Sequence, residues 1–414
     1  MKKLILTAAA CAAIVAEALT VTDVTARQRW PWNNLVDVDF IINGTAGEAY
    51  YIDISATAAG GDKKLNATSF TTEPIAATGR NRIVWDLGAD YPNFKADDLR
   101  VTVTATPFSD STPLYLVVDI SGGTAAAKWP VRYTTAAPVH TAGVADPCKT
   151  TELWLKRVKA KNMMFRMGGS NSGTFQYYTY HYCTFTNDFY LGVFELTQEQ
   201  CKNISGDYMS KFTNETCRAT RPADSIDPRN IRQPYFDSSD PGADITSGFM
   251  KNLRDRTGGL KFDLPTEWQF AYAGAAGTGN GRYNVTDRTA VRFSDTSKPS
   301  ANNENYNTAN QGDWPAEYGT SYVDAYDPNP WGFYGMLGNV FEACLNRRNY
   351  SITLDCELTD PLGDSGLGSE RPQVGGSWNN DWTAAQVWCR VNLNPASTAS
   401  DWVYGARICL TIGK

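Results

Sequence analysis

The sequence predicts an N-terminal all-β sandwich followed by a long α+β domain with little regular secondary structure, on three observations. Short runs of alternating apolar and polar residues fill the first part of the chain. The later part carries two well-signalled helices amid dense Asn, Gly, Asp and Pro. Thirty-four Gly, 20 Pro and 12% aromatics among 414 residues suit loop-rich, strand-containing domains better than helical bundles. A chain this long exceeds the ~100–200 residues of a typical domain, so at least two cores are expected.

The first eighteen residues read as a secretory signal peptide. Lys2 and Lys3 precede an apolar stretch from Leu4 to Val15, and Ala16-Glu17-Ala18 is a small-x-small cleavage pattern. The apolar run continues past Cys11, which argues against a lipid-modified cysteine there, and it is too short to span a bilayer. An exported bacterial protein, periplasmic, surface-bound or secreted, is the expectation. No later segment reads as a membrane span. A net charge of -6 without a basic block excludes a phosphate-wrapping surface, so nucleic acid is not an expected partner.

Each β element follows from a period of two. Val36, Val38, Phe40 and Ile42 alternate around Asp37 and Asp39, and further strand-like runs fall at 50–56, 82–87, 99–106 and 114–120. A β-sandwich over 28–120 is the natural architecture. Residues 121–147, rich in Gly, Ala, Thr and Pro, read as a linker. The second domain is expected over 148–414, with a strand at 152–158. Thr197-Gln198-Glu199-Gln200 and Thr266-Glu267-Trp268-Gln269 each carry the Thr-x-x-Gln capping box that opens a helix. Residues 302–329 read as a long structured loop.

Removal of a leader containing Cys11 leaves eight of nine cysteines, an even number that favours disulfides in an oxidising compartment. Spacing does not fix their connectivity. Proximity suggests Cys201 with Cys217 and Cys344 with Cys356, leaving Cys389 with Cys409 and Cys148 with Cys183.

Four collinear strings carry a family resemblance: Phe189 to Thr197 (FYLGVFELT), Leu264 to Tyr272 (LPTEWQFAY), Asn329 to Glu342 (NPWGFYGMLGNVFE), and Gly375-Gly376-Ser377-Trp378 with Cys389-Arg390 and Gly405-Ala406-Arg407. Together they resemble the formylglycine-generating, sulfatase-modifying-factor family, whose domain is a variant of the C-type-lectin fold. The resemblance implies an oxidase that uses copper held by two cysteines shortly after Gly-Gly-Ser. This chain reads WNNDWTAAQVW from Trp378 to Trp388, with Asn380 and Ala384 or Ala385 at the thiolate positions. Neither Asn nor Ala replaces a thiolate at Cu(I), so copper and formylglycine generation are not expected. A related branch, the ergothioneine-type sulfoxide synthases, holds iron with histidines. Only His140 and His181 occur here, one in the linker and one in an aromatic run, and both read as ordinary packed or exposed residues.

The resemblance further implies a calcium loop, with Gly338 and Val340 offering carbonyls and Glu342 its carboxylate, although Gly335 stands where the family has Asp or Asn. A second calcium site could draw on Asn302, Asn303 and Glu317. In the family the C-terminal segment forms a substrate groove. Here Ser377, Asn379, Asn380, Asp381, Trp382, Arg390 and Asn392 would line it, with aromatics and amides suited to a peptide or glycan. Trp378 and Trp388 are expected buried, and Trp382 nearer the surface. The leading reading is a non-catalytic binding protein. Its rivals are a metal-dependent oxidase with an unrecognised site and a retroelement-diversified receptor, since some proteins of this fold carry a hypervariable C-terminal segment.

Overall fold

The computed structural model describes residues 19–29, 33–109, 112–168, 180–211, 218–235, 244–276, 320–349, 352–363, 370–378, 387, 390–393 and 403–413. The expected signal peptide over 1–18, the 302–319 part of the expected loop with the second calcium site expected there, Cys217, Cys389 and residues 379–382 lie outside them. The chain divides into two compact units, Met1–Thr112 and Pro113–Lys414.

The first unit is built of two antiparallel sheets. One orders the strands Thr20–Gln28, Leu35–Asn43 and Gly79–Asp86. The other centres on Ala49–Ala58, which pairs with Lys63–Asn66, Ile75–Ala77 and Arg100–Pro107. Val36, Val38, Phe40 and Ile42 are buried, as are Tyr50, Ile52, Ile54 and Ala56 on the longest strand, so the period of two does place one face in the core. Asp37 departs from the alternation. It is buried, because Arg29 donates to it at 2.9 Å and Arg27 and Arg82 approach it within 3.8 Å.

The second unit contains a six-stranded antiparallel sheet in the order Phe262–Asp263, Cys409–Thr411, Phe189–Gly192, Glu152–Val158, Tyr115–Asp119, Val131–Thr134. This moves the boundary read from the sequence. The strand expected at 114–120 closes no sandwich in the first unit; it pairs residue for residue with Glu152–Lys156. The expected linker supplies the neighbouring edge strand Val131–Thr134 and the buried Trp129. Leu114, Leu116, Val117, Val118 and Ile120 are all buried, a continuous apolar run suited to a strand covered on both faces.

A four-stranded sheet orders Arg390–Leu393, Arg371–Val374, Phe341–Ala343 and Tyr404–Gly405, and a three-stranded one orders Met164–Met167, His181–Thr184 and Glu357–Thr359. Both capping boxes form. Thr197 opens the helix Gln198–Ser205 and Thr266 opens Glu267–Ala275, each with reciprocal bonds to the Gln three residues on. Every residue of Glu267–Ala275 is buried, which makes it a core helix, and Trp268, Phe270 and Tyr272 pack with Phe165, Phe185 and Phe189.

Candidate functional site

The sequence strings that carry the family resemblance meet in space on buried polar clusters. Arg407, fully buried, is clamped to Glu342 by Nη2–Oε1 at 2.7 Å and Nε–Oε2 at 2.9 Å. Its Nη1 donates to the carbonyls of Gly192 and Val193 and its Nη2 to those of Tyr334 and Gly335. One guanidinium therefore ties the first, third and fourth strings together. Glu195 lies beside it, accepting from Asn339 Nδ2 at 2.6 Å and from the Val340 N–H at 3.4 Å. Burial, then the charge on Glu342, holds Glu195 well above the usual carboxylate range. Burial also raises Glu342, while Arg407 pulls it back.

The loop read as a calcium site is tied into this cluster. The guanidinium of Arg407 engages both oxygens of Glu342, the carboxylate assigned to that site. The N–H groups of Gly338 and Val340, whose carbonyls were the other expected ligands, join the same framework. The Gly338 N–H donates to the Gly375 carbonyl at 2.7 Å, while the Val340 N–H points at Glu195. Gly335 has no room for the family's side chain. A Cβ on it would fall 2.8 Å from Glu195 Oε2, and its φ of +60° is a conformation glycine adopts freely.

A second cluster fixes the C-terminal segment. Glu267, fully buried at the start of its helix, accepts from Asn346 Nδ2 at 2.8 Å and from Arg390 Nη1 at 3.3 Å. Burial pushes Glu267 up to about 8 and brings Arg390 down to about 9. On the other side of the segment, the Trp378 N–H donates to the Asn339 carbonyl at 2.9 Å. Ser377 is 1% exposed and Arg390 3%, and Trp378 is buried as expected. Ser377 and Arg390 thus belong to the frame rather than to an open groove. Asn379, Asn380, Asp381, Trp382 and Trp388 lie outside the described residues, and Asn392 is placed only as a strand position opposite Pro372.

The histidines occupy separate clusters. His181 is fully buried and its Nε2 accepts from Trp268 Nε1 at 2.9 Å. His140, read as a linker residue, joins Asp324 Oδ2 at 3.0 Å through Nδ1 and the Tyr334 hydroxyl at 3.1 Å through Nε2. Lys149, fully buried, reaches the same Asp324 oxygen at 2.5 Å. The Gly143 N–H takes the other oxygen at 3.1 Å. Residues 140–149 are thereby pinned to the second unit. No local pattern signals this, because Asp324 lies 184 residues from His140.

The cysteine pairing also differs from expectation. Cys148, Cys183, Cys201, Cys344 and Cys356 are free thiols, so Cys344–Cys356 and Cys148–Cys183 are not joined. Cys148 packs with Tyr115, Val193 and Phe194, whereas Cys183 packs in the other cluster with Phe165 and Phe185. Burial pushes the Cys148 thiol up to about 12 and raises Cys183, Cys201 and Cys344, which makes them inert core residues. The pairs Cys201–Cys217 and Cys389–Cys409 each have one member outside the described residues.

Sparse helices, short strands and motif strings joined by buried ion pairs define a domain of the formylglycine-generating type. A family profile described as sulfatase-modifying factor enzyme 1-like domain matches residues 156–411, and the chain belongs to that family. Chaperone protein LppX of Paenibacillus barcinonensis is 28% identical over 181 residues, which cover 38% of this chain and 62% of that protein. Among solved structures, Treponema denticola variable protein 1 aligns with a TM-score of 0.46 and 21% identity, covering 66% of this chain and 99% of its own. CarF aligns with a TM-score of 0.33 and 18% identity, covering 61% of this chain and 100% of its own.

Proposed function

We propose that this protein is an exported, non-catalytic binding protein that recognises a peptide or glycan through the C-terminal segment 377–392. The observation that carries the reading is a rigid frame around a segment without thiolates. Ser377 and Trp378 are locked on one side, Arg390 is tied to Glu267 on the other, and residues 378–388 contain no cysteine. A copper oxidase of this family needs soft sulfur ligands there. Asn, Asp, Thr, Gln and Trp in their place supply flat apolar area and hydrogen-bonding edges instead. The basic, apolar and small-residue order of the first eighteen residues supports export. A relative named as a chaperone favours polypeptide as the ligand.

Binding of the mature protein to peptide and glycan arrays tests this reading. Retention that is lost on Trp382→Ala or Asp381→Ala, with unchanged thermal stability, is the expected result. Copper-loaded protein offered a sulfatase-motif peptide should give no formylglycine above a copper-only background. Turnover that disappears when Ser377, Asn380 or Asp381 is changed would overturn the proposal in favour of an oxidase.

A further inference from the structure

The six-stranded sheet ends at Phe262–Asp263, and near this edge lies a cavity of about 450 Å³. That volume falls in the range of small-molecule sites. Among the described residues, none from 377–393 lines it. Phe185, Leu264, Leu345 and Leu362 give it an apolar surface. Its charged lining residues are balanced, with Arg232, Arg254 and Lys261 set against Asp244, Asp263 and Asp360.

Most of these charges are engaged within the wall itself. Asp263 accepts from Arg232 Nε at 2.8 Å and from Arg254 Nη2 at 3.0 Å. Arg232 also donates to the Pro234 carbonyl, and Arg254 Nε to that of Phe262 at 2.7 Å. Asp360 accepts from the backbone N–H and the hydroxyl of Thr186. Two opposite charges are left over, Lys261 and Asp244. Both are exposed, and neither is held in a salt bridge or a side-chain hydrogen bond, although the charge of Asp244 is felt at Arg254. A ligand with a net charge would upset the balance of the lining. A wholly apolar one would cover Lys261 and Asp244 and leave both without water or a partner. A zwitterion on an apolar body does neither.

We propose that this cavity binds a small zwitterion with an apolar side chain, its carboxylate on Lys261, its ammonium on Asp244 and its apolar part on Phe185, Leu264 and Leu362. Both polar contacts are charge-assisted, and the apolar surface excludes water from the rest of the ligand. The long, flexible stem of Lys261 lets its ammonium meet a carboxylate at more than one distance from Asp244. Two sources supply this chemistry, a free α-amino acid and a dipeptide. The site stands apart from the recognition segment proposed above, and neither depends on the other.

Calorimetric titration of the mature protein tests it with phenylalanine and with the dipeptide Gly-Phe, each compared with its C-terminal amide and its N-acetyl derivative. Saturable binding of a zwitterion is expected, with the amide and the N-acetyl form each weaker by roughly tenfold through the loss of one charge-assisted contact. Whichever zwitterion binds more tightly identifies the source. Lys261→Gln should weaken the zwitterion several-fold and leave its amide unchanged, whereas Asp244→Asn should weaken the zwitterion and leave its N-acetyl form unchanged. Leu362→Trp, which fills the cavity, should abolish binding. Lys261 and Asp244 are exposed, so their variants report on binding even where Leu362→Trp impairs folding. No saturable binding of either zwitterion, an amide or N-acetyl form as tight as its parent, or affinity unaltered by Lys261→Gln and Asp244→Asn would overturn the proposal.

Discussion

Arg407 spends its donors on two carboxylate oxygens and four carbonyls, so its worth is collective. Glu342→Gln preserves volume but leaves that guanidinium buried without its anion. The expected cost is about 3–5 kcal/mol, read as a lower urea midpoint with unchanged m, and neither calcium nor chelator should shift it. Glu267 makes a pH-dependent contribution of opposite origin. Its folded pKa of about 8 lies above the ordinary 4.5, so the stability it contributes is fully present below about 4.5 and lost as pH rises through about 8. Arg390, with a folded value of about 9, remains protonated through most of that window and adds little slope of its own. Thermal melts of wild type should therefore fall across this interval, and Glu267→Gln should flatten the decline. At this scale the sequence identified Glu342 as special through its motif. It could not identify Arg407 as the partner, which lies 65 residues away, or the arginines that make Asp37 an interior residue.

Helix starts were the most legible elements, because a capping box is a statement about four consecutive residues. The two boxes nevertheless differ in weight. Thr266→Ala should cost about 1 kcal/mol, the usual value of an N-cap. Thr197→Ala should cost more, roughly 2 kcal/mol, because the Thr197 hydroxyl also donates to the Lys149 carbonyl at 2.7 Å and leaves that buried acceptor unmet. Chemical denaturation of the two variants side by side checks the order. Strands were legible as segments but not as partners. The run 114–120 announced a strand through its apolar content, yet nothing local says that it pairs with Glu152–Val158 rather than with a first-unit strand. The short strand Val131–Thr134 was masked by the Gly, Ala and Thr around it. Its identity comes from the sheet edge it completes.

At the scale of the whole molecule, the region that matches the family profile is smaller than the region that folds with it. The profile starts at 156, but Tyr115–Asp119 lies inside the sheet between Val131–Thr134 and Glu152–Val158. A fragment of residues 113–414 should therefore melt cooperatively on its own. One of residues 148–414 would expose the inner edge of Glu152–Val158 and the core beneath it, and should be recovered aggregated or as a species without a cooperative transition. Size-exclusion chromatography and calorimetry of the two fragments decide the matter, and equal behaviour would contradict the sheet order. That same sheet has a consequence for biosynthesis. Cys409–Thr411, the last strand of this sheet in sequence order, is hydrogen-bonded between Phe189–Gly192 and Phe262–Asp263. These residues are synthesised after the other five strands, so the sheet cannot close before residue 411 has been made. Until then Phe189–Gly192 and Phe262–Asp263 each keep an open edge, and both edges wait on the same late strand.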